Sequence, residues 1–120
     1  MKMKKVLIVE DEMIISLLLE KMVQNLGHEV LGKLPSGEEA VTFALEHKPD
    51  LILMDIRLDG LISGIDAVKQ IHEHMSVPVI YISGSTDALN NGALKGSDYV
   101  TFLPKPITFS ELSNSLRIAS

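Results

Sequence analysis

The chain has 120 residues, of which 46% are hydrophobic, and a formal net charge of −5. This length suits one domain with a real core, so we expect a single domain over residues 1–120. The absence of cysteine excludes disulfides and thiolate metal sites, and the acidic balance argues against non-specific nucleic-acid binding. Acids interrupt the first apolar run at residue 10, too early for a signal peptide or a membrane span, so we expect a cytoplasmic protein.

The first predicted strand, Lys5–Val9, is an apolar run that ends in three consecutive acids at residues 10–12. A continuous apolar run is typical of a strand covered on both faces, as in a parallel sheet. The helix that follows runs to about Leu26, and we expect Asp11 to cap its start.

The apolar stripe of this first helix is wider than one core face needs. Ile14 and Leu17 provide the extra width. We interpret Leu17 as a packed residue of a deeply buried helix. Ile14 lies one turn from the acids, which makes it a candidate docking contact for a partner.

The second predicted strand, residues 28–34, is shorter and more polar, which favours a position at the edge of a sheet. Ser36 and Glu39 form a capping-box pattern that predicts the start of a second helix. The histidines suggest no metal site, because His72 and His74 face different directions on a helix. His28 and His47 are expected at the surface.

The central predicted strand, residues 51–54, is a second buried apolar run, and Asp55 follows it directly. Open α/β sheets bind ligands beyond the carboxyl ends of their strands. A strand-terminal aspartate more often only initiates a turn, so Asp55 alone does not predict a site. A loop at residues 60–64 leads into the third helix.

The last part of the chain repeats the same alternation. A fourth strand is predicted at residues 77–83, and asparagines and glycines weaken the helical signal at residues 84–95. A fifth strand at residues 99–103 precedes a final helix, whose capping box is formed by Thr108 and Glu111. Five alternating strands and helices predict a parallel sheet with right-handed crossovers and helices on both faces.

Parallel strands place all their carboxyl ends at one edge, which would gather Glu10, Asp11, Asp55, Ser83 and Lys105. Two like charges about 4 Å apart repel by roughly 4 kcal/mol at an effective dielectric of 20, and a divalent cation relieves this repulsion. Mg²⁺ suits such an all-oxygen site. Beside it, Asp55 is a candidate nucleophile toward a phosphoryl group, whose oxygens Lys105 and Ser83 would bind.

With these residues the chain resembles a response-regulator receiver domain of two-component signalling over essentially its full length. The matching segments are VLIVEDE (6–12), GEEA (37–40), DLILMDI (50–56), GIDA (64–67), PVIYISG (78–84) and KP (105–106). The resemblance implies one receiver domain with a flavodoxin-like (βα)5 fold. This is a three-layer sandwich whose five-stranded parallel sheet has the order 2-1-3-4-5, and the family supplies a standard example of that order.

The resemblance also implies roles for individual residues. Asp55 would accept phosphate from a histidine kinase or a histidine phosphotransfer protein. Asp11 and Asp55 would ligate Mg²⁺ together with the backbone carbonyl of Arg57, and Glu10 would do so directly or through water. Many members carry aspartate where this chain has Glu10, and the longer arm would move the water shell of the metal.

The family also implies a switch in which the Ser83 hydroxyl is drawn to the phosphoryl group and an aromatic residue turns inward. Counting back from Lys105, that aromatic is Phe102, with Tyr99 as the competing choice. The Lys105–Pro106 peptide is expected to be cis.

By the same resemblance, the output surface is formed by the fourth helix, fifth strand and fifth helix, around residues 95–120. It would act on a downstream output domain or protein, and a homodimer through this face is one arrangement it allows. No nucleic acid or membrane contact by this domain is expected.

Three other functions compete with the phosphoacceptor. A degenerate receiver would be a protein-binding module without phosphorylation, but the chain retains Asp55, Ser83 and Lys105. A haloacid-dehalogenase-type phosphatase needs a second acid where the chain has Arg57. A nucleotide-binding flavodoxin-like protein needs a glycine-rich loop after the first strand, where the three acids lie instead.

Overall fold

The structure, a computed structural model, describes residues 2–119, in which five strands alternate with five helices. The strands are β1 (Lys5–Val9), β2 (Glu29–Leu34), β3 (Leu51–Asp55), β4 (Val79–Ser83) and β5 (Thr101–Pro104). The helices are α1 (Met13–Asn25), α2 (Gly37–His47), α3 (Gly64–His72), α4 (Asp87–Asn90) and α5 (Phe109–Ile118).

The strands form one parallel sheet in the order β2-β1-β3-β4-β5. The predicted fold class and strand order are therefore confirmed. The more polar β2 lies at an edge, as its sequence indicated. Within the described part of the chain, no helix is long and apolar enough to cross a membrane.

Two hydrophobic cores lie on opposite faces of the sheet, because successive residues of a strand point to opposite sides. Leu7 and Val9 of β1 pack with α2 and α3, whereas Val6 and Ile8 pack with α1 and α5. All four side chains are fully buried. Burial of each such side chain contributes about 1.5–3 kcal/mol, which is why the apolar runs specify the centre of the fold.

The start of α1 differs from the prediction. Glu12, not Asp11, is the N-cap residue, and its side chain makes no capping hydrogen bond. The carboxylate of Asp11 instead accepts a hydrogen bond from the backbone of Asp59. Leu17 is 48% exposed, so its interpretation as a packed residue is wrong, and Ile14 is 84% exposed. Fewer residues of α1 are buried than its apolar sequence predicts.

The other helix starts follow from local chemistry. Thr108 and Glu111 form a complete capping box, and the side chain of Ser36 accepts a hydrogen bond from the backbone of Glu39. Ser63 caps α3 in the same way. By contrast, α4 has only four residues and no side-chain cap, in agreement with its weak helical signal.

The prediction that His28 lies at the surface is wrong. Its side chain is buried, and Nδ1 accepts a hydrogen bond from the backbone N–H of Lys4 at 2.9 Å. This bond joins the segments that lead into β1 and β2. His28 therefore belongs to the amino edge of the sheet, opposite the edge where the strands end.

Candidate functional site

The register of the sheet brings the carboxyl ends of the strands together. Val9 pairs with Met54, and Ser83 pairs with Pro104. The residues that directly follow these pairs therefore share one edge. The structure places all the predicted site side chains there, namely Glu10, Asp11, Asp55, Ser83 and Lys105.

Asp55 is held in one orientation at the end of β3. It is 2% exposed, and both carboxylate oxygens have partners. Oδ1 accepts a hydrogen bond from the backbone N–H of Arg57 at 3.1 Å, and Oδ2 accepts one from Lys105 Nζ at 3.1 Å. The carboxylate is thus fixed from two sides.

Three carboxylates form an acid cluster, defined here as Glu10, Asp11 and Asp55. Each offers an oxygen that lies within 4.8 Å of the other two, and it is the group with metal-binding spacing among residues 2–119. Glu10 Oε2 accepts the backbone N–H of Glu12 at 3.1 Å. The buried Oε1 accepts no directed hydrogen bond from the described residues, although it lies 2.8 Å from Lys105 Nζ.

This donor set fits Mg²⁺. The ion binds through carboxylate oxygens while keeping several waters, and the acid cluster supplies oxygens at close spacing beside an open cavity. The metal role of the Arg57 carbonyl stays a prediction.

Lys105 provides the positive charge of the site. Besides its contacts with Glu10 and Asp55, Nζ lies 3.8 Å from Glu12 Oε1. Burial raises the pKa of Glu10 to about 7, against the lowering effect of Lys105 and of the Glu12 backbone; the charge of Asp55 raises it further. Burial alone would lower the pKa of Lys105, but Glu10 and Asp55 together raise it, so the lysine stays charged.

An open cavity of about 440 Å³ lies above the acid cluster and gives it access to solvent. Ser83 is almost fully buried beside this cavity, and its Oγ accepts the backbone N–H of Ser85 at 3.2 Å. The cavity is lined by Asp11, Glu12, Asp55, Arg57, Leu58, Asp59, Gly84, Ser85 and Lys105.

Two glycines, one beneath Asp55 and one beside Ser83, differ in the space around them. A Cβ on Gly64 would lie 2.0 Å from the backbone oxygen of Asp55, so α3 starts where only a glycine fits. A Cβ on Gly84 would meet nothing within 4 Å. The site is therefore tightly packed beneath Asp55 and open beside Ser83.

The main chain and the side chain of Arg57 contact different residues. Its backbone holds Asp55, whereas its guanidinium forms an exposed ion pair with Asp87 of α4, with Nη2 and Oδ2 3.0 Å apart. The side chain is thus a bridge from the loop after β3 to α4, across the margin of the cavity.

The two candidate switch aromatics lie on the same side of the sheet. Phe102 pairs with Tyr81 across β4 and β5, and it packs against the core that contains Leu94. The ring of Tyr99, just before β5, lies 5.4 Å from the ring of Tyr81. Both are partly buried, and the assignment of the switch to Phe102 stays a prediction.

Sequence reasoning missed two contributors. Glu12 contacts Lys105, and the backbone of Asp59 donates to Asp11 Oδ2 at 3.3 Å. The run of acids after β1 was a signal for Glu12. Asp59 acts through its backbone, which residue types do not reveal.

Comparison with known proteins agrees with this geometry. The sequence model of the response regulator receiver domain matches residues 6–117. The chain belongs to the response regulator receiver family. Receiver domains are signalling modules that interact with kinases and with output domains or proteins, and they generally bind Mg²⁺ at an acidic pocket.

Relatives include the transcriptional regulatory protein PdtaR of Mycobacterium tuberculosis, 31% identical over 116 residues, or 97% of this chain and 56% of PdtaR. The phyllosphere-induced regulator PhyR of Methylorubrum extorquens is 43% identical over 89 residues, or 73% of this chain and 33% of PhyR. The chain therefore spans about half the length of PdtaR and a third of PhyR.

Solved receiver structures have the same fold. The signal receiver domain of a modulated diguanylate cyclase from Desulfovibrio desulfuricans superposes with a TM-score of 0.91 at 32% identity, covering 98% of this chain and 94% of that one. The receiver domain of Erythrobacter litoralis PhyR gives 0.86 at 35% identity, covering 98% and 89%.

Proposed function

We propose that the chain is one receiver domain, residues 1–120, whose Asp55 accepts a phosphoryl group from a phosphohistidine of a histidine kinase or histidine phosphotransfer protein. The observation that carries this proposal is the buried Asp55 carboxylate, held by Lys105 and placed in the acid cluster. An Asp55 oxygen attacks phosphorus, the P–N bond to the donor histidine breaks, and the imidazole leaves as a neutral base after taking a proton.

Each residue of the site has a part in this transfer. When bound by Glu10, Asp11, Asp55 and the Arg57 carbonyl, Mg²⁺ neutralises charge on the phosphoryl oxygens. Lys105 binds one of those oxygens as a point charge, while the backbone of Arg57 keeps the carboxylate oriented. The Ser83 hydroxyl turns toward the new phosphoryl group, and Phe102 follows it inward.

The apolar surface of α1 supports docking of the donor. Met13, Ile14, Leu17 and Leu18 are all exposed, and they lie on the helix that begins beside the acid cluster. A donor histidine that reaches Asp55 through the cavity brings its own surface against this helix. The prediction that Ile14 contacts a partner fits this placement.

Output is proposed through the face formed by α4, β5 and α5, toward a downstream domain or protein or a second copy of the chain. A relative of known structure, PhyR of Bartonella quintana, is described as an anti-anti-sigma factor, and this chain covers 48% of it. We place this activity in the cytoplasm, without nucleic-acid or membrane binding by this domain. Beyond its own phosphorylation and dephosphorylation, the domain turns over no substrate.

The test is phosphorylation by acetyl phosphate with and without MgCl₂, followed by intact-mass measurement. We expect a Mg²⁺-dependent gain of one phosphoryl group that Asp55→Asn abolishes. The matched control is Asp59→Asn, which removes an exposed carboxylate at the same cavity but keeps the backbone donor, and it should retain the gain.

The other outcomes point to the alternatives. A folded wild-type protein that gains no phosphoryl group would favour the degenerate receiver. Turnover of many phosphomonoesters would favour the phosphatase. We do not expect the phosphatase, because residue 57, where that chemistry needs a second acid, is an arginine whose guanidinium is bound to Asp87. We do not expect the degenerate receiver, because Asp55, Ser83 and Lys105 are all present.

A further inference from the structure

The first turn of α2 contacts a loop that borders the acid cluster. Glu38 lies in this turn, and its carboxylate reaches across to residues 59–62, here called the 59–62 loop. Oε1 accepts two backbone hydrogen bonds, from Leu61 at 2.9 Å and from Ile62 at 2.8 Å. Hydrogen bonds to an ionised acceptor are stronger than neutral ones, so a single oxygen holds two consecutive peptide units.

The packing around this contact is close. Gly60 has φ of +122°, and a Cβ there would lie 2.7 Å from Glu38 Oε2. A Cβ on Gly37 would lie 2.9 Å from the side chain of Ile62. Two glycines therefore allow α2 and the 59–62 loop to approach each other, while the side chain of Leu61 points outward and is 93% exposed.

The same loop contacts a residue of the acid cluster. The backbone N–H of Asp59, two residues before the first donor to Glu38, donates to Asp11 Oδ2 at 3.3 Å. The other backbone donors, Glu12 and Arg57, lie two residues after the acids that they bind, and Lys105 directly follows β5. The donor to Asp11 comes from the loop after β3, which Glu38 fastens to α2.

We propose that Glu38 is a positioning residue for the metal site. By holding the 59–62 loop, it keeps the Asp59 N–H on Asp11 and so orients that carboxylate toward Mg²⁺. This inference rests on the proposed function. Partners that orient metal ligands change metal affinity by about 10- to 100-fold when they are removed, so an effect of this kind is measurable.

The experiment compares Glu38→Ala, Glu38→Gln and Glu39→Ala by titration calorimetry with MgCl₂ and by amide hydrogen exchange without metal. For Glu38→Ala we expect an approximately tenfold weaker Mg²⁺ affinity, together with faster exchange at Leu61 and Ile62. Glu38→Gln keeps an oxygen acceptor at the same place and should restore the affinity to within about threefold of wild type.

Glu39→Ala is the matched control for damage to α2. Glu39 lies in the same turn and contacts Ser36 but not the 59–62 loop. It should weaken the start of the helix and leave both Mg²⁺ affinity and exchange at Leu61 and Ile62 unchanged.

Two results would overturn the inference alone: wild-type Mg²⁺ affinity in Glu38→Ala, or equal losses in Glu38→Ala and Glu39→Ala. Failure of the wild-type protein itself to bind Mg²⁺ would overturn the metal site and, with it, both this inference and the proposed function.

Discussion

The two sides of the cavity are built differently. On one side, the 59–62 loop is fastened to Glu38, and the next turn begins at Gly64, whose N–H donates to Ile56 at 2.9 Å. On the other, residues 84–97 contain only the short α4, none of whose four residues is buried. One side is therefore fixed by hydrogen bonds to its backbone, whereas the other is held by one buried residue, Leu94, and by side-chain contacts.

Under the proposed function, this difference would let a small chemical change at Asp55 move one side of the cavity more than the other. Segments with few buried contacts open at the lowest free energy, and switching elements are drawn from them. The loose side, residues 84–97, is held by Leu94 in the core, by the exposed Arg57–Asp87 ion pair and by a 3.0 Å hydrogen bond between Tyr81 and Ser97. Under the proposed function, a phosphoryl group on Asp55 would lie beside Arg57, at one of these contacts, while the fixed side would hold Asp11 in place.

The largest expected effect on stability comes from a comparison of two glycine-to-alanine substitutions, one on each side of the cavity. Gly64→Ala forces a Cβ against the backbone oxygen of Asp55 and should lower the free energy of unfolding by about 3 kcal/mol or more. Gly84→Ala meets open space and should change it by less than about 0.5 kcal/mol. Urea unfolding measures both, and equal losses would contradict the contrast between the two sides.

The amino edge of the sheet, where His28 lies, is remote from both sides of the cavity and provides a reference for changes in stability. Burial, and then the positive charges of Lys4 and the amino terminus, lower the pKa of His28 below its ordinary value of 6.5. The unfolded chain therefore binds the extra proton more readily, so this contribution to stability is present above pH 6.5 and is lost as the pH falls from 6.5 through the lower pKa of the folded state. Protonation also ends the hydrogen bond that Nδ1 accepts from Lys4, which contributes about 1 kcal/mol.

Urea unfolding from pH 8 to pH 5 measures this loss. His28→Gln removes the titrating group, so its stability should fall less than that of the wild type between pH 6.5 and pH 5, over a contribution from Glu10 that both proteins share. The exposed His74 gives a control, His74→Gln, with the wild-type profile. If His28→Gln kept the full pH dependence, the loss would originate elsewhere, and the amino edge would no longer serve as a reference.

The sequence predicted the fold and the set of site side chains for the same reason. Apolar runs specify buried parallel strands, and residues at the ends of parallel strands meet at one edge whatever the loops do. Asp55 and Lys105 are 50 residues apart, yet their contact follows from topology alone. The same reasoning could treat Asp11 only as a helix cap or a metal ligand, and the structure shows that it does not cap α1.

What the sequence could not reveal depends on how loops fold back. Glu38 and Glu39 are adjacent acids in a helix start, and only the path of the 59–62 loop distinguishes the one that holds it. The burial of His28 likewise depends on how the segments before β1 and β2 come together. Residue type and periodicity carry no information about such contacts.

The smallest expected effect concerns the ion pair between Arg57 and Asp87, which contributes to holding the loose side. Arg57 and Asp87 are 72% and 70% exposed, and an ion pair in that setting contributes about 0.2–1 kcal/mol. A double-mutant cycle with Arg57→Ala and Asp87→Asn should therefore give a coupling energy below about 1 kcal/mol that shrinks further in 0.5 M salt.

Neither variant should alter hydrogen exchange at Leu61 and Ile62, whereas both should speed it at Asn90 and Asn91, whose amides bond within the α4 turn. A coupling of about 2 kcal/mol or more, insensitive to salt, would mean that α4 is fastened as firmly as the 59–62 loop, and a phosphoryl group would then need another element to move.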